Sequence, residues 1–296
     1  MRISTPAKLL LPAFIAVGLV VVLPLLFSLY TSFTAYRLTR PESISNFIWF
    51  ANYLRLLQDT DFWWAFGRTI LFLTVVLNLE LLFGLGLALL VNQITRGQRV
   101  LRTIMMFPMM FSPILVGFQF KFLLNDNTGV VNAVLQRWFG VTEAIPWLVD
   151  GTLAFISLAA AEIWNSTPLF AILLLAGLMA MPKDPLEAAK VDGCSSVQAF
   201  RHVTLPFLMP FVWIAMTIRS LDVGRAYDIV KIMTNGGPGG RTELLWTLTG
   251  RIAYEDARMG FANAMGYVSV IVSVVFTIHF FKKLNAARRH MDGMEA

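Results

Sequence analysis

The amino-acid sequence predicts an all-α, polytopic membrane protein with six transmembrane helices and a short cytoplasmic helix between the fourth and the fifth. Of its 296 residues, 57% are hydrophobic and only 14% are charged, whereas an ordinary soluble domain has about 25% charged residues. The apolar residues are gathered into runs close to the roughly 20 residues that a helix needs to cross a bilayer. This composition indicates that much of the surface faces lipid.

Six apolar runs have about this length, the shortest being the fifth. The first contains 28 uncharged residues between Lys8 and Arg37, which is too long for a signal-peptide core, and no cleavage site of small residues follows it. We therefore expect it to remain as the first helix. The other five runs are 69–95 (interrupted by Glu80), 103–120, 151–182 (interrupted by Glu162), 203–218 and 259–281.

The charges between these runs predict the orientation of the chain. Basic residues cluster between runs two and three and after run six, whereas the segment 125–150 holds three acidic residues against one arginine. By the positive-inside rule, both termini and the loop 181–206 then lie in the cytoplasm. The net charge of +6 fits this bias better than nucleic-acid binding. The predicted organisation is a first helix with an external loop (1–65), a transmembrane core (66–284) and a cytoplasmic tail (285–296).

The loop after the fourth run is polar and favours a helix. Asp184 followed by Pro185 resembles a helix start, since proline is tolerated at the first helical position. Ala188, Ala189 and Gly193 keep one side of this short helix small, so another protein could approach its backbone closely. Leu205-Pro206 is expected to end the loop and begin the fifth span.

The same loop resembles the signature of permeases of binding-protein-dependent ABC importers: E-A-A, three residues, G, nine residues, an aliphatic residue, one residue, L-P. The chain matches every spacing with Glu187-Ala188-Ala189, Gly193, Val203 and Leu205-Pro206. In that family the short helix is a coupling helix that docks into a cleft of the ATPase subunit. The resemblance assigns this role to Glu187, Ala188, Ala189, Asp192, Gly193, Leu205 and Pro206.

Two further stretches resemble the carbohydrate-uptake (MalF-like) permeases of this family. One follows the fifth span and the other enters the third, and together the likeness covers roughly residues 66–281. The stretches are Thr234-Asn235-Gly236-Gly237-Pro238 with Thr242, Tyr254 and Phe261-Ala262, and Arg99-Val100-Leu101-Arg102 with Pro108 and Pro113. The resemblance implies a MalF/MetI-like permease fold in the bacterial inner membrane and a sugar-type cargo.

Several charged residues fall at membrane depth, where a charge costs several kcal/mol unless it is paired or hydrated. Arg219 lies 13 residues beyond Pro206, which is roughly 20 Å along a helix. Asp222, three residues on, is placed to pair with Arg219 and Arg225. In run four, Pro168 removes a backbone donor and is expected to loosen the helix near mid-membrane. Interrupted helices with polar groups at the midplane are where transporters commonly bind cargo.

In the MalF-like family the helices before and after the coupling loop line the sugar site. The matching positions here are Glu162, Asn165, Ser166, Arg219, Asp222, Val223, Arg225 and Ala226. The family often has amides, hydroxyls or aromatic rings there, so the charges make an acidic sugar or a polyol worth considering as cargo. The alternative is that the charges form a structural ion-pair ladder against the partner permease. Glu80 is expected to be a structural hydrogen-bond partner within the bundle.

The sequence argues against an enzyme. It has no His-Glu-x-x-His zinc pair, no Gly-x-Ser-x-Gly nucleophile elbow and no phosphate-binding loop, and Cys194 is its one cysteine. We expect no cofactor and no metal, with ATP bound by partner subunits. The resemblance implies a second homologous permease, an ABC ATPase dimer, a solute-binding protein and membrane lipid as partners, and no nucleic acid. An importer permease for a non-sugar solute and an ion-coupled secondary transporter are the alternatives.

Overall fold

The computed structural model describes residues 5–94 and 96–292, and within these ranges the chain is helical, with two isolated β-bridges and no strand. Three π-helical segments (Gly18–Val22, Phe200–Thr204, Arg251–Glu255) and two 3₁₀ turns (Pro41–Ser45, Pro108–Met110) accompany the α-helices. The α-helices are α1 (Thr5–Val17), α2 (Leu23–Ser32), α3 (Ala51–Gln58), α4 (Thr60–Gln93), α5 (Gln98–Met106), α6 (Pro113–Leu123), α7 (Val130–Phe139), α8 (Gly151–Ala180), α9 (Asp184–Val191), α10 (Ser196–Ala199), α11 (Leu205–Gly224), α12 (Asp228–Met233), α13 (Leu245–Gly250) and α14 (Met259–Asp292).

Five of the predicted spans correspond to helices that are long and apolar enough to cross a membrane. In the described part of the chain these are Leu10–Ser32, Thr60–Gln93, Gly151–Ala180, Ser196–Gly224 and Met259–Ala287. The all-helical membrane fold is therefore confirmed. Pro168 does not break α8, which runs on to Ala180. The end of the second predicted run at Thr95, and residues 293–296 of the predicted tail, lie outside the described residues.

The third predicted span is not one continuous helix. It is divided into α5, a 3₁₀ turn and α6. Pro108 begins the 3₁₀ turn and Pro113 begins α6, because a proline has no N–H to continue the preceding helix. With 11 residues, α6 is about 16 Å long, well short of the ~30 Å hydrocarbon core. The count of six spans stays a prediction.

The fifth span begins earlier than predicted. Its helical path starts at Ser196 and passes through the π segment Phe200–Thr204 into α11 without a break at Leu205-Pro206. In the π segment the Leu205 N–H donates to the Phe200 carbonyl, five residues back. This wider turn lets the helix continue through Pro206, which has no donor of its own. The segment after the coupling helix is thus part of the span.

The described residues fall into two compact units. One contains the chain up to Ala65 together with Leu248–Ile271, and the other contains Phe66–Thr247 and the chain from Val272 onward. In the first unit, Asn52 Nδ2 donates to the carbonyls of Ser32 and Thr34 at 2.8 and 2.9 Å. In the second unit, α4, α8, α11 and α12 share one hydrophobic core. Every charged residue discussed below belongs to this second unit.

Close contact between α4 and α8 depends on Gly84. A Cβ at this position would overlap Phe170 Cβ and lie 3.0 Å from the Ala171 backbone nitrogen, whereas a Cβ at Gly86, on the same helix, would meet nothing within 4 Å. We expect Gly84→Ala to destabilise the protein by about 1–3 kcal/mol through overpacking. Gly86→Ala should be neutral or stabilising by up to about 1 kcal/mol, because alanine is the better helix former. Thermal unfolding of both variants in lipid nanodiscs tests the pair, and equal midpoints would contradict it.

Candidate functional site

A cluster of three charges, two of them buried and one partly buried, joins three long helices. Arg219 on α11 donates to Glu80 on α4 through two hydrogen bonds, Nε to Oε2 at 3.0 Å and Nη2 to Oε1 at 2.7 Å. Its Nη2 also donates to Glu162 Oε1 on α8 at 2.8 Å. The side chains of Arg219 and Glu80 are 6% and 0% exposed.

The geometry of this cluster suits an arginine. The planar guanidinium matches a carboxylate in the two-bond arrangement that Glu80 makes, and hydrogen bonds between charged groups are stronger than those between neutral ones. Such bonds are needed at this depth, because charges removed from water are costly unless they are paired. The sequence predicts that Glu80 is a structural hydrogen-bond partner within the bundle. The structure identifies Arg219 as the residue with which it pairs, so Glu80 is the principal counter-charge of Arg219.

Asp222 and Arg225 form the outer part of the cluster. Asp222 Oδ2 lies 3.7 Å from Arg219 Nη1, and Asp222 Oδ1 lies 3.7 Å from Arg225 Nη2. These are the pairs that helical spacing predicts, but both are longer than the contacts of Arg219 with Glu80 and Glu162. The side chains of Asp222 and Arg225 are about half exposed, so this outer pair stands at an open surface.

That surface is the wall of a polar cavity of about 540 Å³, which lies within the size range of small-molecule sites. Seven of the eight predicted cargo-path residues line it: Glu162, Asn165, Ser166, Arg219, Asp222, Arg225 and Ala226. The structure thus brings together the end of α11 and the middle of α8. Val223 does not line this cavity; its side chain is 1% exposed and lies in the hydrophobic core.

Five further residues line the cavity, and the sequence did not predict them as site residues: Pro113, Tyr227, Asp228, Ile229 and Trp246. They lie on α6, in the bend after α11, and on the short helices α12 and α13, which have no long apolar run to mark them. Asn165 Nδ2 donates to the Pro108 carbonyl at 2.8 Å. This bond fixes the 3₁₀ turn that divides the predicted third span.

The predicted coupling loop is built as a separate exposed helix. α9 begins at Asp184 with Pro185 in its first turn, and Asp184 and Glu187 are acidic residues there, where the helix dipole favours negative charge. The chain turns at Gly193, whose φ of +78° suits glycine. Ser195 and Gln198 then form a capping box that starts α10.

The surface of the coupling loop is open at most predicted positions. Glu187, Ala188, Asp192, Gly193 and Pro206 are exposed, Leu205 is partly buried, and Ala189 is 7% exposed. Two apolar side chains nearby are also unusually exposed: Val191 at 88% and Val197 at 74%. The predicted coupling positions, apart from Ala189, are thus accessible to another protein.

A family model described as "Binding-protein-dependent transport system inner membrane component" matches residues 80–289. The chain is 32% identical to the trehalose/maltose transport system permease protein MalF of Thermococcus litoralis, over 93% of this chain and 91% of that protein. It is also 32% identical to the sulfoquinovosyl glycerol transport system permease protein SmoG of Agrobacterium fabrum, over 93% of this chain and 88% of that protein.

A solved structure has the same fold. It belongs to a bacterial ABC transporter involved in the import of the acidic polysaccharide alginate, and it superposes with a TM-score of 0.80 at 22% sequence identity, covering 95% of this chain and 94% of that one. At this identity the likeness speaks for the fold alone.

The charged cluster predicts a large difference between two arginine variants. Arg219→Met leaves the buried Glu80 and the partly buried Glu162 without their counter-charge, and removing one partner of a buried ion pair costs about 3–5 kcal/mol. Arg225→Met removes a half-exposed partner and should cost about 0–1 kcal/mol. We expect a strongly lowered unfolding midpoint or poor accumulation for Arg219→Met alone. Equal midpoints, measured in nanodiscs, would show that the buried cluster does not stabilise the bundle.

Proposed function

Because the chain belongs to the family of binding-protein-dependent transport system inner membrane components, we propose that it is the permease subunit of an ATP-driven ABC importer for a sugar or sugar derivative. The observation that carries the proposal is the polar cavity between α8 and α11. The exposed helix α9 follows α8 and precedes the helical path Ser196–Gly224, which ends in α11. The proposed cargo site is thereby connected through helices to the proposed contact with the ATPase.

The choice of a carbohydrate is supported by the names of the relatives and by the chemistry of the cavity wall. One relative is named for trehalose and maltose and another for sulfoquinovosyl glycerol. The wall presents carboxylates, guanidinium groups, a serine and a tyrosine, which offer donors and acceptors to sugar hydroxyls in fixed directions.

In the proposed mechanism the chain works by alternating access. Closure of an ATPase dimer moves α9, and the movement passes to α8 and α11, which open the cavity outward to receive cargo from a solute-binding protein. Hydrolysis then restores the inward-open state. The chain itself binds no ATP and needs no cofactor in this scheme, and a second homologous permease completes the pathway. The loop charges support a bacterial inner-membrane location with both termini and α9 in the cytoplasm.

The first test measures ATP hydrolysis by the co-purified complex in lipid nanodiscs, with its solute-binding protein, against a panel of sugars, polyols, amino acids and peptides. We expect stimulation by a sugar or a polyol and none by the amino acids and peptides. If hydrolysis responds to an amino acid or peptide alone, the carbohydrate assignment is wrong. If no ATPase co-purifies with the permease, the assignment as an importer subunit fails.

A second prediction concerns the coupling helix. Ala188 is exposed on α9, and Ala188→Trp adds a bulky side chain to the surface proposed to enter the ATPase. We expect cargo-stimulated ATP hydrolysis to fall at least roughly tenfold, since an overfilled contact costs about 1–3 kcal/mol. Ala286→Trp, at an exposed position on α14, is the matched control and should retain stimulation. Equal activity of the two variants would argue against docking through α9.

A further inference from the structure

We propose that the cavity beside Arg219 accepts an uncharged sugar or polyol and discriminates against anionic congeners. The inference rests on the proposed function, because it names the cargo class of the same cavity. It follows from the way in which the charges of the wall are distributed and already paired. Arginine in a sugar site ordinarily suggests an acidic cargo, so the pairing of each arginine decides the question.

Carboxylates of the protein already surround the guanidinium of Arg219. Its Nε and Nη2 donate to Glu80, and Nη2 donates to Glu162 as well, while Nη1 lies 3.7 Å from Asp222. The side chain is only 6% exposed. At Nε or Nη2, a sulfonate or carboxylate on the cargo would have to displace Glu80 or Glu162, and at Nη1 it would meet the carboxylate of Asp222.

Arg225 is accessible but its charge is balanced. Its Nε donates to the Leu221 carbonyl at 3.2 Å, and its Nη2 lies 3.7 Å from Asp222. The Asp222 carboxylate stands between the two arginines and faces both of them. An anionic cargo that approached Arg225 would therefore meet the negative charge of Asp222 at the same place.

The wall as a whole carries more negative than positive charge. Three carboxylates line the cavity, those of Glu162, Asp222 and Asp228, against two guanidinium groups. A carboxylate or sulfonate of the cargo placed close to these carboxylates is repelled by them. The field of the wall thus opposes an anion.

Uncharged hydroxyl groups suit the same wall. Carboxylate oxygens accept hydrogen bonds from sugar hydroxyls, and an uncharged sugar brings no charge that the carboxylates would repel. The hydroxyls of Ser166 and Tyr227 can both donate and accept. Trp246 also lines the cavity, and its Nε1 is buried without an acceptor in the part of the chain that the structure describes. An unsatisfied buried donor is costly, and a cargo hydroxyl that reaches the indole would supply the missing acceptor.

The test compares matched pairs of sugars that differ only in charge, each a neutral glycoside and its uronic acid or sulfonated congener. Uptake into proteoliposomes is measured with the whole complex and its solute-binding protein. The affinity of the binding protein for each sugar is measured separately by calorimetry, and each sugar is supplied at saturation. We expect initial uptake of the anionic member to be at least roughly tenfold slower, because like-charge contacts cost several kcal/mol.

The Asp222→Asn variant tests whether the permease, and not the binding protein, causes the selectivity. It removes the carboxylate that balances Arg225, so the anionic-to-neutral uptake ratio should rise several-fold, while Glu143→Gln, on an exposed loop away from the cavity, should leave the ratio unchanged. Equal or faster uptake of the anionic sugars by the wild type overturns the inference. So does a ratio that Asp222→Asn does not move, because the selectivity then belongs to the binding protein. If neither member of any pair is carried, the proposed function itself fails.

Discussion

The hydrogen bonds between Arg219 and the carboxylates of Glu80 and Glu162 are the interaction on which the rest of this bundle depends. A guanidinium 6% exposed within a membrane-spanning helix is costly unless its donors are paired. The pairing is supplied by two other helices, since Glu80 lies on α4 and Glu162 on α8. The positions of α4, α8 and α11 are therefore tied together by charge as well as by their shared apolar core.

The exposure of the side chains in this network increases from its centre to its edge. Glu80 is fully buried and Glu162 is 12% exposed, whereas Asp222 and Arg225 are about half exposed. The inner members hold helices together, and every member except Glu80 also lines the cavity. The two alternatives that the sequence leaves open, a structural ion-pair cluster and a polar lining, thus describe two ends of one network within this chain.

The sequence predicted the long helices well, because uncharged runs of about 20 residues carry a strong signal. It failed where backbone chemistry overrides hydropathy: Pro108 and Pro113 divide an uncharged run that reads as one span. It also favoured Asp222 as the partner of Arg219, since only local helical spacing is visible in a sequence. Glu80 lies 139 residues away from Arg219 along the chain, and no periodicity links residues at that separation.

The position of α9 in the chain relates the charged network to the helix movements of the proposed transport cycle. α8 ends just before α9, and α11 continues the helical path that follows it, so a displacement of α9 acts on both helices at once. Glu162 and Arg219 join these two helices by one hydrogen bond, whereas Glu80 holds Arg219 by two. A rotation of α8 against α11 can break the single bond while Arg219 keeps its buried counter-charge. Glu162, the carboxylate that this rotation would release, also lines the cavity, so in the proposed alternating-access cycle the movement would change the charge that the cavity wall presents.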